Sequence, residues 1–167
     1  MKKTIMNIAA VNVISWYNND DTRAKLKKLP LTTQWTMRKN MRALEPLAKE
    51  FGDFRDELVQ KRNEEWFVEG NGKCEKVTRE VDGQEQELLQ ILPDLQEEFA
   101  QYEQELNVQL NEIMVEENEV EITPIDLEEF VEMADEYKTG IDMDDLDIIS
   151  VFEKTDVEEV EAEIVEG

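Results

Sequence analysis

Histidine is absent from this chain, and with it go the commonest general base, the usual base of a nucleophilic triad and the commonest metal ligand. Serine occurs only at Ser15 and Ser150, neither of them in a Gly-x-Ser-x-Gly turn, so a nucleophile elbow is missing as well. The one cysteine, Cys74, excludes an internal disulfide and accords with a reducing compartment. With no histidine to activate it, it reads as an ordinary hairpin residue. Glycine is scarce: Gly70-Asn71-Gly72-Lys73 resembles the end of a phosphate loop, but the preceding glycine spacing is wrong and Cys74 stands where a Ser or Thr is needed. Long apolar runs are lacking too, and no window approaches the ~18 uninterrupted apolar residues of a membrane span. Lys2 and Lys3 precede an apolar stretch, as in a signal peptide, yet Asn7, Asn12 and Ser15 interrupt it and no small-residue cleavage site follows. The expectation is a cytoplasmic protein that is not an enzyme and needs no cofactor and no metal.

Charge is what the chain has in excess. Of 167 residues, 36% are charged, against roughly 25% in ordinary soluble domains, so much of the chain belongs on solvated surface. The charge is polarised: residues 1–50 carry ten Lys and Arg against four Asp and Glu, and residues 101–167 carry two against twenty-four. The net value runs from +6 through −8 to −22 and totals −24. Such a field governs partners and solubility more than fold. A hydrophobic content of 40% with three Trp, three Tyr and six Phe still provides a core.

Apolar periodicity predicts a mainly α protein. Residues 5–17 are too densely apolar for an amphipathic face and read as a short buried helix, with strand as the alternative. A basic segment, Arg23 to Lys28, ends at Leu29-Pro30. Thr32 or Thr33 can then cap a helix whose apolar residues, from Trp35 to Leu58, recur largely at three and four. Pro46 lies inside it, and a bend or break near Glu45 is expected. Gly70-Asn71-Gly72, flanked by Phe67-Val68 and Val77, fits a small β-hairpin over 66–83, closed by Asp82-Gly83. The seam Leu88, Leu92, Leu95, Phe99, Tyr102, Leu106, Leu110 and Ile113 then predicts a second helix, its Pro93 tolerated in the first turns.

The expected architecture is an elongated antiparallel helical hairpin with coiled-coil-like arms of roughly 40 to 50 Å, a β-hairpin tip and a compact mixed α/β base. Its segments are a base helix and basic segment over 1–30, arms over 31–115, an acidic base element over 116–154 and an acidic tail over 155–167. Within the third, Val120 to Ile125 alternates as a strand, and Asp126 caps a helix over 127–137 that ends at Gly140. Residues 141–152 follow with Leu146, Ile149 and Phe152 inward. Folding back the arms brings both charged ends to the base, where they partly neutralise one another.

Asp142, Asp144 and Glu153 occupy positions 1, 3 and 12 of a calcium loop, but position 5 is Leu146 and the required glycine is Asp147. Arg23, Lys25, Lys27, Lys28, Arg38, Lys39 and Arg42, with Trp35 among them, make a local case for nucleic acid that the acidic remainder opposes, so no direct nucleic-acid binding is expected. The reverse role suits the composition better, with acids imitating phosphates to a basic groove. Its candidates are Glu116, Glu117, Glu119, Glu121, Glu128, Glu129, Glu132, Asp135 and Glu136, joined by Asp142, Asp144, Asp145 and Asp147. Against it stands the simpler role of such residues in solubility.

The basic helix with Arg38, Lys39 and Asn40, then Leu44-Glu45-Pro46-Leu47, Glu50-Phe51 and Leu58, is followed by Gln109-Leu110-Asn111-Glu112 and by Val120-Glu121-Ile122-Thr123-Pro124-Ile125. In the order of these elements, over roughly residues 5 to 150, the chain resembles small uncharacterised proteins of phages that infect Gram-positive bacteria. The resemblance implies phage origin and a small helical accessory protein, and it transfers no active site. Two roles are then expected. One is inhibition of a bacterial nucleic-acid-handling or defence protein through an acidic surface; the other is phage assembly or scaffolding, as a homo-oligomer joined through the helical arms.

Overall fold

A computed structural model describes residues 1–155. The acidic tail expected over 155–167 lies, from residue 156 on, outside the described residues. Along the chain run strand β1 (Lys2–Met6), helices α1 (Asn7–Asn18), α2 (Asp20–Leu26) and α3 (Leu31–Trp66), strands β2 (Cys74–Val81) and β3 (Gln84–Ile91), and helix α4 (Gln96–Met114). Strand β4 (Glu117–Glu121) and helices α5 (Leu127–Glu136) and α6 (Met143–Ile149) complete the order. The protein is mainly α and divides into two compact units, one of residues 1–49 with 116 onward, the other of residues 50–115.

In the first unit the apolar stretch after Lys3 serves as both strand and helix. β1 pairs antiparallel with β4, Met6 opposite Glu117 and Lys2 opposite Glu121, and the chain turns into α1 at Asn7. The strand predicted over 120–125 therefore sits earlier, at 117–121. Past Glu121 the Ile122 N–H reaches the Met1 carbonyl (2.8 Å), where the partner strand runs out, and Ile125 instead bridges to the segment after α6 through its N–H to the Phe152 carbonyl (2.8 Å).

Asn19 caps α2, its side chain accepting from the Asp21 N–H at 2.9 Å. The expected threonine cap of α3 is not used. Pro30 precedes the helix and accepts the Gln34 N–H (3.0 Å), while the Gln34 amide donates to the Lys27 and Leu29 carbonyls and closes the α2–α3 turn. Nor is α3 broken near Glu45: it runs unbroken for 36 residues through Pro46. Pro46 and Arg42, whose carbonyl loses its helical donor there, are both exposed, so the proline sits on the solvent side of the helix.

Met37, Met41 and Leu44 line the buried face of α3 and join Val13, Leu26, Phe130, Ile149 and Phe152 in one core. Asn40, only 1% exposed, lies on the same face. Its amide donates to the Thr123 carbonyl (2.9 Å) and accepts the Thr123 N–H (2.8 Å), which satisfies a buried polar group and ties the β4–α5 connection to α3. Asp126 caps α5 as expected, through the Glu129 N–H. Past its end Lys138 and Gly140 both take positive φ, 50° and 79°, and the buried Thr139 hydroxyl donates to the Ala134 carbonyl. Ile149 and Phe152 point into the core as predicted, and Leu146 is half-buried.

In the second unit the hairpin is displaced from the predicted 66–83 to 74–91. Its two-residue turn is Asp82-Gly83, both with positive φ (51° and 78°), the conformation that matches strand twist. Gly70-Asn71-Gly72 forms the connection from α3 to β2, with Asn71 accepting the Lys73 N–H. Leu88 consequently belongs to β3, and the helical seam begins only after Pro93, which opens a single 3₁₀ turn before α4. Here the last turns of α3 lie antiparallel to the first turns of α4: Trp66 meets Phe99 (ring centroids 5.2 Å apart), and one turn earlier in α3 Arg62 meets Glu103 (3.2 Å), further along α4. Trp66, Cys74 and Ile91 form the buried cluster here. No residue of α4 is fully buried.

Candidate functional site

The predicted acidic residues fall on three elements of the first unit and differ in how free they are. On β4 the pleat turns Val120 into the core and leaves Glu117, Glu119 and Glu121 exposed at alternate positions. Glu121 is not free: it lies opposite Lys2 and accepts a bond from the N-terminal ammonium at 2.7 Å, which holds its carboxyl below the usual range. Glu116, just before the strand, is exposed, and its carbonyl accepts the Asn7 N–H.

On α5 the arrangement is different. Phe130 and Ala134 are buried, and Glu128, Glu129, Glu132, Asp135 and Glu136 are all exposed. At 3.6 residues per turn these five carboxylates fall within about 120° of the helix circumference, opposite the buried stripe. None of them forms an ion pair among the described residues.

On α6 two of the predicted residues have structural work. Asp142 and Asp145 form a reciprocal capping box, each side chain accepting the other's N–H at 3.0 Å. Asp145 is only 7% exposed and also accepts from the Trp16 indole and the Lys25 ammonium, both at 2.9 Å. Burial by itself would push its carboxyl up. The bonds from Trp16, Lys25 and the Asp142 backbone, with the Lys25 charge, outweigh it and hold the carboxyl below the usual aspartate range. The bond from Lys25 to Asp145 in turn raises the lysine. Asp145 is therefore withdrawn from the predicted surface, Asp142 is half-committed to Lys25 at 3.7 Å, and Asp144 and Asp147 stay exposed.

The calcium-loop pattern has no counterpart in space. Asp142 is occupied by its cap, Glu153 bridges to Ile125, and no group of three or more acids or cysteines fit to hold a metal occurs among the described residues.

The two charged ends meet at Glu121, which accepts from the N-terminal ammonium opposite Lys2, and at Asp142 and Asp145, which pair with Lys25; Lys25 is the only residue of the Arg23–Arg42 basic set that pairs with an acid among the described residues. Arg23, Lys27, Arg38 and Arg42 instead surround an open cavity between α1, α2 and α3. Sequence reading singled out these cations but missed Tyr17, Asn18 and Gln34, which line the same cavity. The available signal was spacing: Arg23 and Lys27, Arg38 and Arg42, and Met37 and Met41 are each four residues apart, hence on common helix faces.

No protein-family model matches this chain, and no curated protein and no solved structure matches it. No helix among the described residues is long and apolar enough to cross a membrane.

Proposed function

We propose that this chain is a non-enzymatic binding protein of phage type, acting in the host cytoplasm, that presents the acidic face of α5 to the basic groove of a bacterial nucleic-acid-handling or defence protein. One observation carries this reading: five exposed carboxylates, in no ion pair among the described residues, share one face of a helix anchored by Phe130 and Ala134. Because the opposite stripe is packed into the core, the charges are displayed on a fixed frame. A fixed frame lowers the entropic cost of matching a row of cationic groups.

The test is capture from nuclease-treated bacterial lysate with the intact chain and with a variant carrying Glu128→Lys, Glu132→Lys and Asp135→Lys. A partner that is captured by the parent, released between about 0.05 and 0.3 M salt, displaced by nucleic acid and lost with the variant supports the proposal. A partner retained equally by the variant sinks it.

A second reading, an assembly adaptor that oligomerises through its helical arms, is favoured by α4. Phe99, Tyr102, Leu106, Leu110 and Ile113 form a regular apolar seam of which no member is fully buried. It predicts self-association that tolerates salt and is abolished by Leu106→Glu.

A further inference from the structure

The cavity between α1, α2 and α3 has a volume of about 320 Å³ and lies wholly within the first unit. Its floor is apolar: Leu26, Met37 and Met41 are buried, Ile14 is half-buried, and Tyr17 forms one wall. Its rim carries Arg23, Lys27, Arg38 and Arg42 against a single acid, Glu45. Arg23 in α2 and Lys27 at its C-cap, like Arg38 and Arg42 in α3, are spaced i and i+4, at which like charges repel by a few tenths of a kcal/mol in isolated helices. In a chain with 42 acids and a net charge of −24, four cations that form no ion pair among the described residues stand out.

The groups around the cavity are also incompletely used. Lys27 and Arg38 have no side-chain partner among the described residues, whereas Lys25, two residues before Lys27, is fully engaged. Arg23 rests over the Tyr17 ring and donates to the Asn18 oxygen (3.2 Å), and Arg42 rests over Trp35. These contacts orient two guanidinium groups without neutralising them. With its oxygen taken by Arg23, Asn18 keeps an amide donor; with its nitrogen taken by the Lys27 and Leu29 carbonyls, Gln34 keeps an oxygen acceptor.

We propose that this cavity binds a mononucleotide-class ligand, a small phosphorylated compound with a planar heterocycle. The ring takes the Tyr17–Met37–Met41 surface, with the Asn18 and Gln34 amides available to its polar edge. The phosphate takes the guanidinium forks of Arg38 and Arg42, supported by Arg23 and Lys27. Size favours a monomer, because the volume lies at the lower end of the roughly 300–1,000 Å³ of small-molecule sites. Charge favours it as well. At physiological salt the Debye length is about 8 Å, so a small anion feels mainly the rim cations, while a polymer would extend over the acids that begin at Asp142 and Asp145 beside Lys25. This site is separate from the acidic face of α5, and neither reading depends on the other.

Calorimetric titration of the full chain tests the proposal, with adenosine triphosphate, guanosine triphosphate and uridine monophosphate as ligands. Adenosine, inorganic phosphate and a short single-stranded DNA serve as comparisons. Saturable binding of at least one nucleotide is expected, about tenfold or more tighter than adenosine or phosphate, because each of these lacks half of the contacts. Arg38→Gln should weaken it about tenfold, and Arg38→Glu with Arg42→Glu should abolish it, each with an unchanged helical circular dichroism spectrum. Lys39→Ala, adjacent in sequence but outside the cavity lining, should leave it unaltered. The proposal is overturned if no nucleotide saturates at millimolar concentration, if phosphate binds as tightly as nucleotides, if the DNA binds more tightly than either, or if folded Arg38→Gln keeps full affinity.

Discussion

The first unit closes fourteen buried apolar residues into one core, from Ile5 to Phe152, whereas the buried cluster of the second contains Trp66, Cys74 and Ile91. The difference goes beyond size. The first unit's core is assembled from β1, β4 and helices at both ends of the sequence; the buried stripes of α3 and α5 have charged faces opposite them, whereas α1 carries no charged residue. In the second unit the aromatic contacts of Trp66, Phe67, Phe99 and Tyr102 hold two helices together, yet the α4 seam remains half-open and β2–β3 is exposed over most of its length. The two proposed readings, one electrostatic and one apolar, therefore fall on different units.

Substitution in the larger core gives the sharpest separation between the units. Phe152→Ala should lower unfolding free energy by about 3–5 kcal/mol in urea titration, because Phe152 is fully buried and its cavity has little to collapse into. Trp66→Ala should cost about 3 kcal/mol and act locally. Hydrogen exchange would accelerate at the amides of β2, β3 and α4 and not at those of β4 or α5. If Trp66→Ala loosened α5 as much as α4, the two units would not be independent in stability.

Asp145→Asn probes the buried contact with Lys25 and Trp16 and should cost about 1–3 kcal/mol at neutral pH, the range for a buried hydrogen-bonded charge. Its pH dependence has a definite sign. The folded carboxyl is held below its unfolded value of about 3.9, so the unfolded chain takes up the proton first as pH falls. The stabilising contribution is complete above that value and is lost as pH drops through the folded one. The gap between parent and variant should therefore be constant near neutrality and shrink below about pH 4. A gap that stayed constant to pH 2 would mean that shape, and not charge, holds Lys25 and Trp16.

The smallest stability effect is expected where the effect on recognition is largest. Glu128→Lys, Glu132→Lys and Asp135→Lys together should shift unfolding by no more than about 0.5 kcal/mol per site, because these groups are exposed and unpaired. A large loss of stability from them would mark the α5 face as structural and remove the contrast between frame and display.

Much of this was legible one helix at a time. The three-and-four spacing in α3, the Asp126 cap, the inward Ile149 and Phe152 and the clustering of acids on α5 all depend on neighbours within one or two turns, and they appear where periodicity put them. The hairpin was misplaced because two turn signals, Gly70-Asn71-Gly72 and Asp82-Gly83, compete within fourteen residues. Leucines at 88 and 92 also continue a helical spacing into what is strand. Only Asp82-Gly83 presents two consecutive positive-φ positions between segments able to pair in register. Asp145 shows the limit more sharply. In sequence it is one of four aspartates between 142 and 147, and nothing local separates it from Asp144.

The sequence by itself determined the helical class, the cap at Asp126, the polarity of charge and the exclusion of histidine chemistry, because these follow from composition and from contacts a few residues apart. Tertiary structure alone decided that β1 meets β4 across more than a hundred residues, that Lys25 is neutralised while Arg23, Lys27, Arg38 and Arg42 are not, and that Asp145 is buried while α5 keeps its acids exposed. The physical reason is that a charge is paired or free according to the surface that packs against it, and that surface comes from a distant part of the chain.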